Sequence, residues 1–175
     1  MTWPGWRDWI FSAKTFTAAM LALYIALLFD LPRPYWAMTT VYVVANPLTG
    51  ATLSKALYRT LGTLLGAGAA VVMVPALVNA PELLILAVAV WTGCLLYFSM
   101  LDRTPRSYVF MLAGYTLSLV ALPELNTPGA IFEVAVARAE EIIVGIVCAS
   151  VVGAVVFPFS VGPQVGARAS QWLNE

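Results

Sequence analysis

The sequence predicts an all-α integral membrane protein: one bundle of about six transmembrane helices with both termini in the cytoplasm. Three observations carry this. Of 175 residues, 61% are apolar and only 10% charged, with mean hydropathy +0.87. A soluble domain carries roughly 25% charged residues, so this chain lacks the polar surface to cover a water-soluble globule. The charges also divide it into stretches near the roughly 17–25 apolar residues a spanning helix needs, and the basic residues gather at alternate ends of those stretches.

The first stretch, about 10–29, follows Trp3, Trp6, Arg7, Asp8 and Trp9 and stops at Asp30-Leu31-Pro32-Arg33-Pro34. Its length marks a retained span rather than a cleavable signal peptide. The second, about 35–51, is free of charge but interrupted by Asn46-Pro47. The third and fourth run about 56–78 and 83–101, with Pro75 and Pro81 at their joint. The fifth, about 107–122, is short, and the sixth, about 131–157, stops at Pro158. Connections this short force antiparallel neighbours and leave no room for a soluble domain between them. Residues 1–175 therefore read as one transmembrane domain, with 159–175, ending "GARASQWLNE", as the start of a cytoplasmic tail.

Orientation follows from the basic residues. With the N-terminus inside, the inner side holds Arg7, Lys14, Lys55, Arg59, Arg103, Arg106 and Arg168, and the outer side keeps only Arg33 and Arg138. Asp30, Glu82, Glu124 and Glu133 then make the outer face acidic. Tryptophans and Tyr35 near the boundaries fit the membrane interface.

Composition also excludes. A formal net charge of zero argues against nucleic acid as a partner. With no histidine, the commonest metal ligand and general base is missing, and no carboxylate cluster has metal-site spacing. Neither a metal nor a cofactor is expected, and enzyme is the poorer class. Cys94 and Cys148 lie in apolar stretches and read as small packing residues.

The segment "KALYRTLGTLLGAGAAVVMV" sets basic residues beside glycines, as phosphate loops do. No G-x-x-x-x-G-K-[ST] pattern follows a strand, however. Gly62 and Gly66 are four apart on one helix face, and with Thr63 they form a small-residue packing strip. Arg59 begins that strip. It reads either as an anchor snorkelling to the headgroups or as a cation at the mouth of a groove beside the strip.

Arg138 is the least comfortable charge. In "FEVAVARAEEIIVG" it breaks the positive-inside pattern and lies toward a helix N-terminus, where the macrodipole disfavours a cation. Glu141, three residues on, shares its face and offers a pair; Glu140 points elsewhere. The functional alternative has Arg138 binding an anionic substrate while a glutamate, Glu141 or Glu140, carries a coupling proton. Asn46-Pro47 reads as a kink near a boundary or as a broken helix lining a binding cavity. Tyr115 and Thr116 offer hydroxyls to a neighbouring helix or to substrate.

Four strings, "RPYWAMTTVYVVANPLTGAT", "YRTLGTLLGAG", "LDRTPRSYVFMLAGYT" and "ARAEEIIVGIVCA", occur in the expected order, within a resemblance that spans about residues 3 to 160. Together they resemble the N-terminal membrane domain of the fusaric acid resistance family, which includes the aromatic carboxylic acid exporters. The resemblance implies a multi-pass bacterial inner-membrane efflux protein. It would expel aromatic or other weak organic acids with the proton gradient, often with a periplasmic membrane-fusion protein. It supplies no settled binding set, so Arg59, Arg138, Tyr115 and Asn46 stand as substrate-binding candidates on the physical argument alone. Family members are longer than this chain. Because a pathway usually needs two repeats, a homo-oligomer or a second membrane half is expected to complete it. The competing expectation is a non-transporting scaffold whose small-residue face docks another subunit.

Overall fold

The computed structural model describes residues 5–45 and 49–155, and among them the fold is all-helical. Six α-helices follow one another: α1 (Trp6–Leu28), α2 (Tyr35–Val44), α3 (Thr49–Leu77), α4 (Pro81–Leu101), α5 (Ser107–Ala121) and α6 (Ile131–Val155), with a 3-10 turn at Pro128–Ala130 before α6. Three contain segments long and apolar enough to cross a membrane: Asp8–Leu28, Ser54–Leu77 and Pro81–Leu101. Large apolar side chains such as Leu83, Leu86, Val90 and Tyr97 cover the outside of α4, as expected where lipid replaces water. The tail at 159–175, Trp3 and the Asn46-Pro47 pair lie outside the described residues.

The stretch read as a second span holds a helix of only 10 residues. At 1.5 Å per residue α2 is about 15 Å long, half the roughly 30 Å hydrocarbon thickness. Ala45 turns extended at its end, with φ −52° and ψ 129°, and residues 49–51 belong to α3. The residue before Asn46-Pro47 is therefore already out of the helix. α3 compensates in length, with 29 residues continuing through Pro75 to its last turn.

Two apolar clusters fill the bundle. One joins α3, α4, α5 and α6 through Ala70, Val74, Leu84, Leu117, Val120 and Ile131. The other joins α1, α2 and α6 through Ala18, Ala22, Ala26, Ala37, Val41, Cys148 and Ala149. Cys148 thus packs in a core, whereas Cys94 lies exposed on α4 and packs in neither. α6 touches α1, α2 and α3, so it forms the seam between the clusters. Lys14 donates to the Gly153 carbonyl at 2.9 Å, tying the start of α1 to the end of α6. α4 is held to α5 by polar side chains: Trp91 Nε1 donates to the Ala113 carbonyl and Thr92 Oγ1 to the Gly114 carbonyl, each at 3.2 Å.

Close helix approach depends on particular glycines. A Cβ on Gly62 would lie 2.5 Å from Leu112 Cβ, and one on Gly66 2.6 Å from the Ala113 carbonyl oxygen, so this face of α3 abuts the α5 backbone. Gly145 does the same for α6 against α2, where a Cβ would meet the Ala37 carbonyl oxygen at 2.5 Å and Thr40 Cβ at 2.6 Å. In the loop before α5, the Thr104 backbone N–H donates to Asp102 Oδ1 at 2.8 Å and, with the Thr104 hydroxyl, holds that carboxyl below the usual carboxylate range.

These contacts set an expectation for stability. Gly62→Ala and Gly145→Ala should each cost about 1–3 kcal/mol through overpacking. Gly68→Ala, whose Cβ meets nothing within 4 Å, should be neutral or gain up to about 1 kcal/mol from helix propensity. Thermal melts of the detergent-purified protein compare them; equal melting of Gly62→Ala and Gly68→Ala would contradict the α3–α5 approach.

Candidate functional site

The polar residues of the interior meet where α2, α3, α5 and α6 converge, and the chain prepares them locally. α1 ends in a left-handed Asp30, φ 51°, with the Leu31 N–H donating back to the Ala26 carbonyl at 3.0 Å. Asp tolerates this conformation better than most residues. The chain then enters Pro32-Arg33-Pro34, outside any helix, and the Arg33 N–H is left to donate sideways. It donates to Glu141 Oε1 on α6 at 2.8 Å. The Arg33 side chain lies 3.7 Å from Glu124 Oε1, and Thr127 Oγ1 donates to Glu124 Oε2 at 2.6 Å.

Arg138 is only 4% exposed. Its guanidinium lies over the Trp36 ring, 3.5 Å from the centroid, a cation–π contact worth up to about 2 kcal/mol when desolvated. None of its three side-chain nitrogens has a hydrogen-bond partner among the described residues. The expected pairing with Glu141 is not made, because that carboxylate has turned to the Arg33 backbone. Arg138, Trp36, Arg33, Glu124 and Glu141 share a cavity of about 230 Å³ with apolar walls from Leu119, Val120 and Val134.

Arg59 is 1% exposed, so it is a buried group and not a headgroup anchor. It donates from Nη2 to Thr40 Oγ1 at 3.2 Å and from Nη1 to the Tyr108 and Tyr115 hydroxyls at 3.4 and 3.5 Å. The groove expected beside it is filled by α5, since Gly62 and Gly66 face that helix directly. Thr63, on the same strip, is buried, and its hydroxyl has no partner among the described residues.

Of the sequence candidates, Arg59, Arg138, Tyr115 and Glu141 come together, near enough for Arg138 to interact electrostatically with the other three. Glu140 is exposed on the opposite side of α6, and Asn46 falls outside the described residues. Sequence reasoning did not find Trp36, Thr40, Tyr108, Arg33 or Glu124 as site residues. The usable signal was the i, i+4 spacing of Trp36 and Thr40, which puts an aromatic and a hydroxyl on one face of α2.

A helical bundle with a lipid-compatible exterior and a partly open cavity walled by arginine, tryptophan and carboxylates defines a class: a membrane-embedded bundle with a polar site between its helices. The chain belongs to the fusaric acid resistance protein family, which it matches over residues 8–175. It is 35% identical over 164 residues to a p-hydroxybenzoic acid efflux pump subunit, AaeB, of Musicola paradisiaca (strain Ech703), covering 89% of this chain and 25% of that protein. It is 37% identical over 143 residues to an uncharacterized transporter, YdhK, of Escherichia coli (strain K12), covering 81% of this chain and 21% of that protein. The chain thus spans about a quarter of the length of these relatives. No solved structure matches it.

The unpartnered guanidinium sets an expectation. Because a buried, unpaired charge is costly, Arg138→Leu should keep or raise thermal stability, by up to about 3 kcal/mol, despite the lost Trp36 contact. Differential scanning fluorimetry without added organic acid reads this. A large loss of stability would mean that Arg138 is a structural strut.

Proposed function

We propose that this chain is the membrane domain, or half of the pathway, of a bacterial inner-membrane exporter of aromatic and other weak organic acids. The observation that carries it is Arg138: a cation buried beside an aromatic ring, with no described hydrogen-bond partner, in the wall of a cavity. A carboxylate fits its fork in bidentate fashion, and an aromatic body fits Trp36 and the apolar wall. The names of the two relatives, an efflux pump subunit and a transporter, support the same reading.

In the proposed orientation both termini face the cytoplasm and α2 enters from the outer side, halfway through a broken crossing. The Lys14–Gly153 contact supports it by keeping the start of α1 and the end of α6 on one side. A homo-oligomer or second membrane half, with a periplasmic membrane-fusion partner, completes the export path. The scaffold alternative loses its docking face, because α5 of the same chain occupies the small-residue strip.

Glu141 is the proposed proton carrier, and Glu140, exposed outside the cavity, is not. The sign of the coupling matters. A proton on Glu141 removes a negative charge near Arg138, which strengthens anion binding instead of releasing it. Exchange therefore requires the proton to act on access. Ionised Glu141 holds the Arg33 N–H and clamps the loop between α1 and α2 over the cavity; protonation loosens that clamp from the outer side.

Labelled p-hydroxybenzoate binding to the purified chain, with accumulation in cells expressing it, tests the reading. Arg138→Leu should weaken binding at least about tenfold, a loss of about 1.4 kcal/mol, and abolish export. Glu141→Gln should bind as well as the parent or better, yet fail to export against the gradient. Unchanged binding in Arg138→Leu would overturn the substrate site, and full export by Glu141→Gln would overturn the coupling.

A further inference from the structure

Arg59 is a second buried cation, and it lies outside the cavity lined by Arg138. Its described partners are hydroxyls only, at 3.2 to 3.5 Å, and its Nε has no described partner. Two further hydroxyls buried on α3 and α5, Thr63 Oγ1 and Thr116 Oγ1, make no described hydrogen bond either. Thr63 stands one turn beyond Arg59 on the same face of α3. Thr116 follows Tyr115 on α5, its Cβ 2.8 Å from where a Cβ on Gly66 would be.

The cluster is rich in donors and short of acceptors. A guanidinium donates and never accepts. Thr40 spends its own proton on the Trp36 carbonyl at 2.8 Å. Tyr108 and Tyr115 accept from Arg59, so their protons turn away from it and meet no described acceptor. Helical threonines ordinarily return their hydroxyl to the carbonyl one turn back, and Thr15, Thr17, Thr39, Thr40 and Thr60 all do so here. Thr63 and Thr116 do not. The cluster thus holds a cation and several donors to spare, with no described carboxylate on Arg59.

We propose that Arg59, Tyr108 and Tyr115 form a second anion site, for a compact monovalent anion: chloride, or a carboxylate group. A ring does not fit, because α5 closes directly on Gly62 and Gly66. The site sits one turn along α2 from the first, since Trp36 underlies Arg138 and Thr40 contacts Arg59. It stands on the Arg59 cluster alone and goes beyond the function proposed above.

The test is the chlorine NMR line width of sodium chloride with the full chain in nanodiscs, compared with empty nanodiscs. The work is done in an Arg138→Gln background, so that the first cation does not contribute. Excess broadening should persist there and fall at least about fivefold when Arg59→Gln is added, as expected for loss of charge-assisted hydrogen bonds. Tyr108→Phe with Tyr115→Phe, which leaves the cation in place, should lower it in part; this pair decides the matter if the Arg59 variant is not monodisperse. Displacement of chloride by acetate would show a site open to carboxylates, and displacement by bromide alone a halide site; either supports the proposal. No excess broadening in Arg138→Gln, or broadening indifferent to both the Arg59 and the tyrosine changes, overturns it. Failure of the proposed export function is read separately, as p-hydroxybenzoate binding that does not depend on Arg138.

Discussion

Two buried guanidinium groups without carboxylate partners among the described residues are the constraint on which the rest of this bundle depends. An isolated charge in a low-dielectric interior is expensive, and the chain meets that cost by two different means. Arg138 has the electron-rich face of Trp36; Arg59 has the lone pairs of three hydroxyls. Both devices work only at contact distance, so α2, α3, α5 and α6 must approach one another closely. Glycine at positions 62, 66 and 145 makes that possible, because each faces a neighbour's backbone where a Cβ would collide.

The position of α6 follows from the same demand. Among the described residues it is the one helix that borders both apolar clusters, and its buried charges sit between them. The short α2 serves it through Trp36, and the non-helical loop before α2 serves it through the Arg33 N–H. Were Arg33 inside a helix, its N–H would be committed to a carbonyl of its own chain segment. Between Pro32 and Pro34 it is not, and it reaches Glu141 instead. The prolines that look like punctuation in the sequence are thus part of how the site is closed.

How much of this was legible differs by element. The apolar stretches bounded by charge and proline at 83–101 and 107–122 correspond to the helices Pro81–Leu101 and Ser107–Ala121, because local composition sets such boundaries. The shortness of α2 was partly legible: hydropathy continues past Val44, but Asn46-Pro47 marked an interruption, and the backbone leaves the helix at Ala45, just before that pair. For the site, the misfit of Arg138 was visible in one helix, whereas its contact with Trp36 was not, since it joins residues far apart in the chain. Local spacing favoured an Arg138–Glu141 pair. It failed because a backbone N–H from a distant loop competes for that carboxylate.

The reason Arg138 is uncomfortable also changes once its surroundings are known. Position near the start of α6 suggested the helix dipole, but α6 begins at Ile131, and Arg138 is about two turns in. The dipole's effect is typically 0.3–1 kcal/mol and fades within the first turn. Desolvation of an unpaired charge costs several kcal/mol, so burial far outweighs the dipole. A helix-end adjustment would therefore leave most of the cost in place. Glu124 is engaged by Arg33 and Thr127, and Glu141 by the Arg33 backbone, while three arginines converge on the region. Against two engaged carboxylates, the polar interior is short of negative charge, and an anion entering the cavity supplies what the helix ends cannot.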